Sequence, residues 1–223
     1  MKFLFFDTET TGLPKKRIDA LVEPGNYPDI VSIAWIVVTD TGVVLRSNYH
    51  VISPDGWTIP DDSIRIHKIT NEIARQGIPL QKAMTLFLED VSECEVVVAH
   101  NLDFDRNVVN NALHWRLKMN VLSPSTQQFY CTMQEGAKLM KVPSSHPKFY
   151  RPPKLSVLYT FLFNEEPSEV LHNALGDTMI CMKVYFAMQY LRVGREKTVT
   201  NVTLPPIATT KLSLCLADSS ESV

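Results

Sequence analysis

The sequence predicts an α/β fold, and three features carry that prediction. The first is an apolar run near the N-terminus, Phe3 to Phe6, rich in residues that favour a buried strand. The second is a pair of strand patterns at 30–38 and 43–52, which the tight turn Asp40-Thr41-Gly42 joins into a predicted hairpin. The third is the helical spacing of apolar residues that dominates the rest of the chain and alternates there with short strand patterns.

Apolar periodicity and turn signals predict the remaining elements in order. The predicted helices lie at 71–75, 79–92, 104–118, 132–141, 154–163 and 173–191. Short apolar or β-favouring runs predict two further strands, at 96–99 and 128–131. Asp103 is a plausible N-terminal cap for the helix at 104–118. From Gly194 the pattern dissolves, which predicts one domain, residues 1–193, followed by a flexible C-terminal tail, residues 194–223.

Length and composition restrict the class of protein. At 223 residues and 45% apolar content, the chain can bury one good core. It has neither an apolar run of membrane-span length nor a signal-peptide pattern, so we expect a soluble intracellular protein, cytoplasmic or nuclear, with no membrane partner. Four scattered cysteines fit reduced thiols. A net charge of −2 excludes a nucleic-acid binder that is basic over its whole surface, but it allows a local basic groove.

Two carboxylates follow the first apolar run. Because side chains alternate along a strand, Asp7 and Glu9 should project to one face while Thr8 points away. Like charges this close raise each other's pKa, and a bound divalent cation allows both to stay ionised at neutral pH. Oxygen-only ligands favour Mg²⁺ or Mn²⁺ over zinc. On this stretch alone, a strand that ends in ordinary solvated acids remains an equal alternative.

Two later stretches supply more acids. In the first, 99–105, a buried strand leads into a helix, and either Asp103 or Asp105 could be a ligand in the first helical turn. In the second, five positions on a helix rotate by about 140°, so His172 and Asp177 cannot share a helix face. We therefore expect His172 on the preceding loop and Asp177 in the first turns of the helix, both pointing into one cleft. Such acids with an imidazole suit metal-assisted phosphoryl chemistry, in which histidine takes a proton from water.

Three motifs in this order resemble those of the DEDDh (DnaQ-like) 3′→5′ exonuclease family: Asp7-Thr8-Glu9, His100-Asn101-x-x-Phe104-Asp105 and His172-x4-Asp177. The resemblance implies a ribonuclease H-like fold, with a mixed five-stranded sheet flanked by helices and an antiparallel second strand. It also implies metal-dependent hydrolysis of terminal phosphodiester bonds of single-stranded or frayed nucleic acid, which releases nucleoside 5′-monophosphates. Two Mg²⁺ or Mn²⁺ ions per site would serve this reaction.

The resemblance also implies roles for individual residues. Asp7 would bridge both metals, Glu9 and Asp177 would serve the water-side metal, Asp105 would act chiefly through a metal-bound water, and His172 would be the general base. This choice of Asp105 leaves Asp103 as the helix cap. The residues expected to bind the substrate are Thr10, Leu13, His67 and Asn101. For Leu13 the alternative is a turn residue packed on the core, and for His67 it is a histidine on a surface loop.

Other functions and interactions remain open at this point. One alternative is an RNase of the oligoribonuclease sort, and another is a non-catalytic nucleic-acid-binding module that kept the fold. The tail from about Gly194 could tether the chain to a polymerase, as in proofreading subunits. Cations around Phe149 and Tyr150, among them Lys148 and Arg151, predict a loop that grips single-stranded nucleic acid, against the simpler interpretation of a solvated face.

Overall fold

The computed structural model describes residues 1–169 and 172–196, the last four of these by their backbone alone. Its five strands are Lys2–Thr10 (β1), Ile30–Thr39 (β2), Val44–Val51 (β3), Val96–Ala99 (β4) and Gln128–Cys131 (β5). Seven α-helices lie in this part of the chain: Asp61–His67 (α1), Asn71–Arg75 (α2), Leu80–Ser92 (α3), Leu102–Asn111 (α4), Thr132–Met140 (α5), Leu155–Phe163 (α6) and Ala174–Glu196 (α7). A π-helical segment, Ala112–Leu117, extends α4.

The strands form one mixed sheet in the order β3-β2-β1-β4-β5. β2 pairs antiparallel with both β1 and β3, whereas β4 pairs parallel with both β1 and β5. The predicted hairpin, the antiparallel second strand and the mixed five-stranded sheet flanked by helices are therefore confirmed. β1 is central and paired on both sides, which fixes its register and hence the positions of its acidic residues.

The two faces of β1 pack against different helices because its side chains alternate. Leu4 and Phe6 belong to a core that includes Phe87 of α3 and Val108 of α4. Phe3 and Phe5 face the other way, and both rings lie 5.3 Å from the ring of Tyr185 on α7. Odd-numbered residues of β1 thus face α7, and even-numbered residues face α3 and α4.

Strand β1 is longer than the apolar run predicted. It continues to Thr10, with Asp7 opposite Ala34 and Glu9 opposite Ser32 on β2. Backbone hydrogen bonding to β2 therefore extends the strand past the end of its apolar residues. As a consequence, the two acids stand within a paired strand, and the pairing holds their backbones in place.

The N-cap predicted at Asp103 is wrong. Asn101 takes the left-handed conformation, with φ of 61°, so α4 begins at Leu102 and Asp103 lies within its first turn. The Asp103 carboxylate instead accepts a hydrogen bond from Gln134 at 3.4 Å and lies 3.7 Å from Arg106.

Several other boundaries differ from the predicted ones. Helix α1 lies where no helix was predicted, and the predicted helix 104–118 becomes π-helical after Asn111. In that π-helical segment Trp115 donates a hydrogen bond from Nε1 to the Ala20 carbonyl at 2.8 Å. Helix α7 reaches Glu196, while the remainder of the expected tail, 197–223, lies outside the described residues. Within the described ranges, no helix combines the length and apolar character needed to cross a bilayer.

Gly77 allows a close backbone crossing between the α2 region and the end of β3. A Cβ at this position would lie 2.5 Å from the Val51 carbonyl oxygen, where the Ile78 N–H also bonds, at 2.9 Å. Because backbone atoms cannot move aside, Gly77→Ala should lower the free energy of unfolding by about 1–3 kcal/mol. Urea unfolding checks this, and the neighbouring exposed Gln76→Ala should change it by less than about 0.5 kcal/mol. Equal stability of the two variants would contradict the steric argument.

Candidate active site

Three carboxylates from two elements meet at one end of the sheet. Asp7 and Glu9 lie on the face of β1 that packs against α7, and Asp177 stands in the first turn of that helix. One oxygen from each carboxylate lies within 4.8 Å of the others, and all three residues are half-buried. The pairing predicted from strand alternation therefore holds for Asp7 and Glu9, and tertiary packing adds Asp177.

Electrostatics disfavours the ionised form of this group. Burial, reinforced by Asp105, Asp177 and Glu9, raises the pKa of Asp7 well above its usual range. Burial and the charges of Asp177 and Asp105 raise the pKa of Glu9 to about 8. Burial also raises the pKa of Asp177, although a backbone hydrogen bond from His172 opposes that shift. The protein alone does not supply enough positive charge to keep these acids ionised, and a cation among them would.

Asp105 lies beside this trio, at the edge of β1. It is buried, and its Oδ1 accepts hydrogen bonds from the Thr8 N–H at 3.2 Å and the Thr8 hydroxyl at 2.7 Å. Burial raises the pKa of Asp105 to about 7 against the opposing effect of these bonds. The charge of Asp105 still raises the pKa of Asp7, which shows that the fourth acid is near the trio without belonging to its closest group.

The sequence prediction missed the role of Thr8. Thr8 does point away from Asp7 and Glu9, and in doing so it reaches α4 and holds Asp105. The signal was present, since a threonine inside a buried strand needs a partner for its hydroxyl. The identity of that partner depends on how α4 packs, which the local sequence does not specify.

His172 lies on the loop just before α7, as predicted. It is exposed, with a left-handed φ of 60°, and its backbone N–H donates to Asp177 Oδ2 at 3.0 Å. Earlier on the same loop, Glu169 forms an ion pair with Lys183 of α7. This pair ties the described part of the loop to the helix. The backbone of the histidine and the carboxylate of the aspartate are therefore directly coupled.

The four residues predicted to bind substrate have different environments. Thr10 is buried, and its hydroxyl donates to the Gly12 carbonyl at 2.7 Å. Leu13 is 81% exposed and so is not packed on the core. His67 is buried, so it is not a surface-loop residue, and its Nδ1 accepts from the Ile69 N–H at 3.1 Å. Asn101 is exposed at the start of α4. Their interactions with substrate stay predictions.

His100 supports the same corner of the molecule. Its Nδ1 lies 2.9 Å from the Thr132 hydroxyl, and its Nε2 donates to the Pro153 carbonyl at 3.1 Å. Burial lowers the pKa of His100 to about 4, so the ring is neutral at physiological pH. His100 therefore holds this corner by hydrogen bonds.

A family model for exonucleases (RNase_T) matches residues 4–185 of this chain. Among curated proteins, the chain is 28% identical over 185 residues to a PolC-type DNA polymerase III of Mycoplasma genitalium, covering 82% of this chain and 11% of that protein. It is 29% identical over 113 residues to the epsilon subunit of DNA polymerase III of Rickettsia felis, covering 51% of this chain and 44% of that protein. The chain thus spans less than half of the length of either relative.

Solved structures share the fold at low sequence identity. Exonuclease X in complex with 5′ overhanging duplex DNA superposes with a TM-score of 0.56 at 22% identity, covering 89% of this chain and 94% of that one. The nuclease domain of 3′hExo, a DEDDh family member bound to rAMP, gives a TM-score of 0.64 at 12% identity and covers 85% and 92%. E. coli exonuclease I in complex with a dT13 oligonucleotide gives a TM-score of 0.63 at 16% identity, covering 87% of this chain and 44% of that one.

The matched region begins at Leu4 on β1 and ends at Tyr185 on α7, so it includes every acid described above. It also includes the mixed sheet that sets the acids beside one another. The chain therefore belongs to the RNase_T exonuclease family.

Proposed function

We propose that this enzyme degrades single-stranded or frayed nucleic acid from its 3′ end and releases nucleoside 5′-monophosphates. The observation that carries the proposal is the group formed by Asp7, Glu9 and Asp177, whose oxygens lie within 4.8 Å of one another and whose pKa values are raised. Solvated surface acids do not show such shifts. Acids held together against their own repulsion are typical of a site built for cations.

The residues present fit divalent metal ions. The trio offers only oxygen donors, which Mg²⁺ and Mn²⁺ prefer, and Asp105 adds a fourth carboxylate close by. We propose two ions, held by Asp7, Glu9, Asp105 and Asp177. When bound, such ions stabilise the negative charge that develops at the scissile phosphate and favour deprotonation of water.

His172 is the proposed general base. An exposed imidazole whose charge acts on Asp177 is placed to take the proton from an attacking water. The His172 N–H bond to Asp177 keeps the base on the loop at a fixed position relative to one of the proposed ligands. This hydrogen bond uses the backbone of His172, so the imidazole ring remains available to exchange protons with water.

The other proposed interactions concern the terminal nucleotide and the cellular setting. Backbone groups near Thr10 would hold the 3′ hydroxyl, and the exposed Leu13 side chain would pack against the last base, with His67 and Asn101 nearby. Since one curated relative is a PolC-type DNA polymerase III and another is the epsilon subunit of DNA polymerase III from a different organism, we propose action at ends made by a polymerase, in the cytoplasm or nucleus. The tail proposed to tether the enzyme lies outside the described residues.

The first test removes the central acid. Asp7→Asn should reduce hydrolysis of a 5′-labelled dT12 in Mg²⁺ by roughly a thousandfold or more, since a metal ion supplies several kcal/mol to the barrier and 1.36 kcal/mol is tenfold. Asp103→Asn is the matched control. It removes an exposed acid from the first turn of α4 and should retain activity within a few-fold.

The label also reports direction, because 3′→5′ digestion leaves a ladder of 5′-labelled products. A parallel rU12 substrate separates a DNA enzyme from an RNase of the oligoribonuclease sort, which would prefer RNA. If the parent enzyme binds both oligonucleotides yet cleaves neither with Mg²⁺ or Mn²⁺, the chain is a binding module and the proposed reaction is wrong. Full activity of Asp7→Asn would equally overturn it.

A second test separates the base from the ligands. His172→Ala should lower kcat by about 10²–10⁴-fold, which is the range of general acid–base catalysis, with unchanged metal affinity in titration calorimetry. Loss of metal binding in His172→Ala would assign this residue to metal coordination and would contradict the base role.

The third test uses the raised pKa values. A carboxyl whose pKa is raised by folding stabilises the native state while it is protonated, and this contribution is lost as pH rises through the folded-state pKa. For Glu9, with an ordinary pKa of 4.5 and a folded pKa of about 8, the loss spans roughly pH 4.5 to 8. In EDTA the melting temperature should therefore fall between pH 5 and pH 8, on the order of 5 °C.

Mg²⁺ or Mn²⁺ at pH 8 should reverse that fall, because the ions bind the ionised acids of the folded state. Glu9→Gln should flatten both the pH dependence and the response to metal. Glu89→Gln, which changes an exposed glutamate on α3, should melt like the parent at each pH. A metal-free parent whose melting temperature does not change from pH 5 to pH 8 would rule out the electrostatic description of the site.

A further inference from the structure

The segment 142–154, which we name the basic loop, connects α5 to α6. Together with Lys141 it carries four cations, Lys141, Lys148, Arg151 and Lys154, and no Asp or Glu, in a chain whose net charge is −2. Among the described residues, none of these four forms an ion pair. By contrast, nearby Lys138 pairs with Glu135 at 2.6 Å. The loop is therefore a local concentration of uncompensated positive charge.

The basic loop is held in a hairpin-like shape by its own hydrogen bonds. Pro143 pairs with Tyr150 in an antiparallel bridge, and the Arg151 N–H donates to the Val142 carbonyl at 2.9 Å. The Ser144 hydroxyl lies 2.6 Å from the Phe149 carbonyl oxygen. These bonds lower the entropy that the loop would lose on binding a ligand.

Exposed aromatic rings stand among the cations. Phe149 is 67% exposed and Tyr150 is 45% exposed, and the Phe149 ring packs beside His146 with centroids 4.7 Å apart. Leaving a phenylalanine this accessible is unfavourable in water. Cations that can follow a phosphate backbone, interleaved with aromatic faces, form the surface that unpaired nucleotides bind.

The base of the loop is fixed to the acidic site. His100 directly follows β4, which pairs in parallel with β1, the strand that carries Asp7. The Thr132 hydroxyl, which lies 2.9 Å from His100 Nδ1, also lies 3.6 Å from Cys181 Sγ, and Cys181 is four residues after Asp177 on α7. His100 then donates to Pro153, the buried residue near the C-terminal end of the loop.

This anchoring sets the reach of the loop. Pro153 lies four positions after Phe149, and an extended chain spans at most about 14 Å over that distance. Stacked nucleotides rise about 3.4 Å each along one strand, so Phe149 is within reach of nucleotides that precede the terminal one by a few positions. The terminal nucleotide itself belongs to the acidic site.

We propose that the basic loop is a second nucleic-acid binding surface, at which Phe149 stacks on an unpaired base while Lys148 and Arg151 bind phosphates upstream of the 3′ end. This inference rests on the proposed function for the identity of the strand. It makes the enzyme's affinity depend on substrate length, because short oligonucleotides reach the acidic site but not the loop.

The experiment compares a trinucleotide, dT3, with dT12 in the full chain. Phe149→Ala should weaken binding of dT12 about tenfold, since stacking on an aromatic ring contributes that much or more per base. The kcat/KM for dT12 should fall by a similar factor, mainly through KM, while kcat/KM for dT3 stays within twofold of the parent. Phe161→Ala, an aromatic residue of α6 that is 52% exposed, is the matched control and should leave both substrates unaffected.

The cations are tested by salt dependence. Lys148→Gln with Arg151→Gln should reduce the slope of log Kd for dT12 against log salt by about 0.7 for each phosphate that the loop no longer neutralises. The control pair Arg75→Gln with Lys82→Gln removes the same charge from exposed positions on α2 and α3, where the slope should not change. Binding is measured in the Asp7→Asn background by fluorescence anisotropy, so that the oligonucleotides stay intact.

The outcomes separate this inference from the proposed function. If the parent degrades both oligonucleotides but Phe149→Ala binds dT12 as tightly as the parent does, the loop surface is wrong and the exonuclease stands. An equal loss of affinity in the control variants would also overturn the loop surface. If the parent hydrolyses neither substrate while Phe149→Ala still loses affinity for dT12, the loop surface stands and the proposed reaction is wrong.

Discussion

Repulsion between buried carboxylates is the constraint on which the rest of this structure depends. Burial raises the pKa of Asp7, Glu9 and Asp177, and the charges of nearby acids, Asp105 among them, raise the pKa of Asp7 and Glu9 further. A flexible chain would relieve that cost by moving the acids apart. Here β1 cannot move, because it pairs with β2 and β4 along both edges and packs on both faces. The stability of the core thus maintains an electrostatically unfavourable group, and a cation among the acids would relieve it.

Alternation along one strand gathers the acids from both layers of the fold. Asp7 and Glu9 face α7 and meet Asp177, while Thr8, between them, faces α4 and holds Asp105. Three consecutive residues of β1 therefore organise acids on two helices that lie on opposite sides of the sheet. A helix or loop could not do this in so short a stretch, since only a strand directs neighbouring side chains to opposite faces.

Backbone conformation completes the site at the starts of two helices. Asn101 and His172 both adopt left-handed φ values, and the next helices, α4 and α7, each carry one of the acids in their first turn. The helical periodicity of 104–118 did not reveal that α4 begins at Leu102, so the sequence prediction misplaced Asp103 as a cap. A left-handed residue ends the preceding segment abruptly, and nothing in a pattern of apolar residues reports that turn. The start of α4 was therefore misplaced, whereas the start of α7, predicted at residue 173, differs by one residue.

The sequence by itself determined the fold class, the hairpin, the positions of β4 and β5 and the shared face of Asp7 and Glu9. These follow from apolar periodicity and strand alternation, which are local properties of the chain. The family resemblance named the four acids and His172, but their closeness was decided only in three dimensions. Tertiary structure alone set Thr8 against Asp105 and tied His100 to Pro153, because each hydrogen bond joins segments that are distant along the chain. Such bonds depend on how the helices pack on the sheet, and no local pattern encodes that packing.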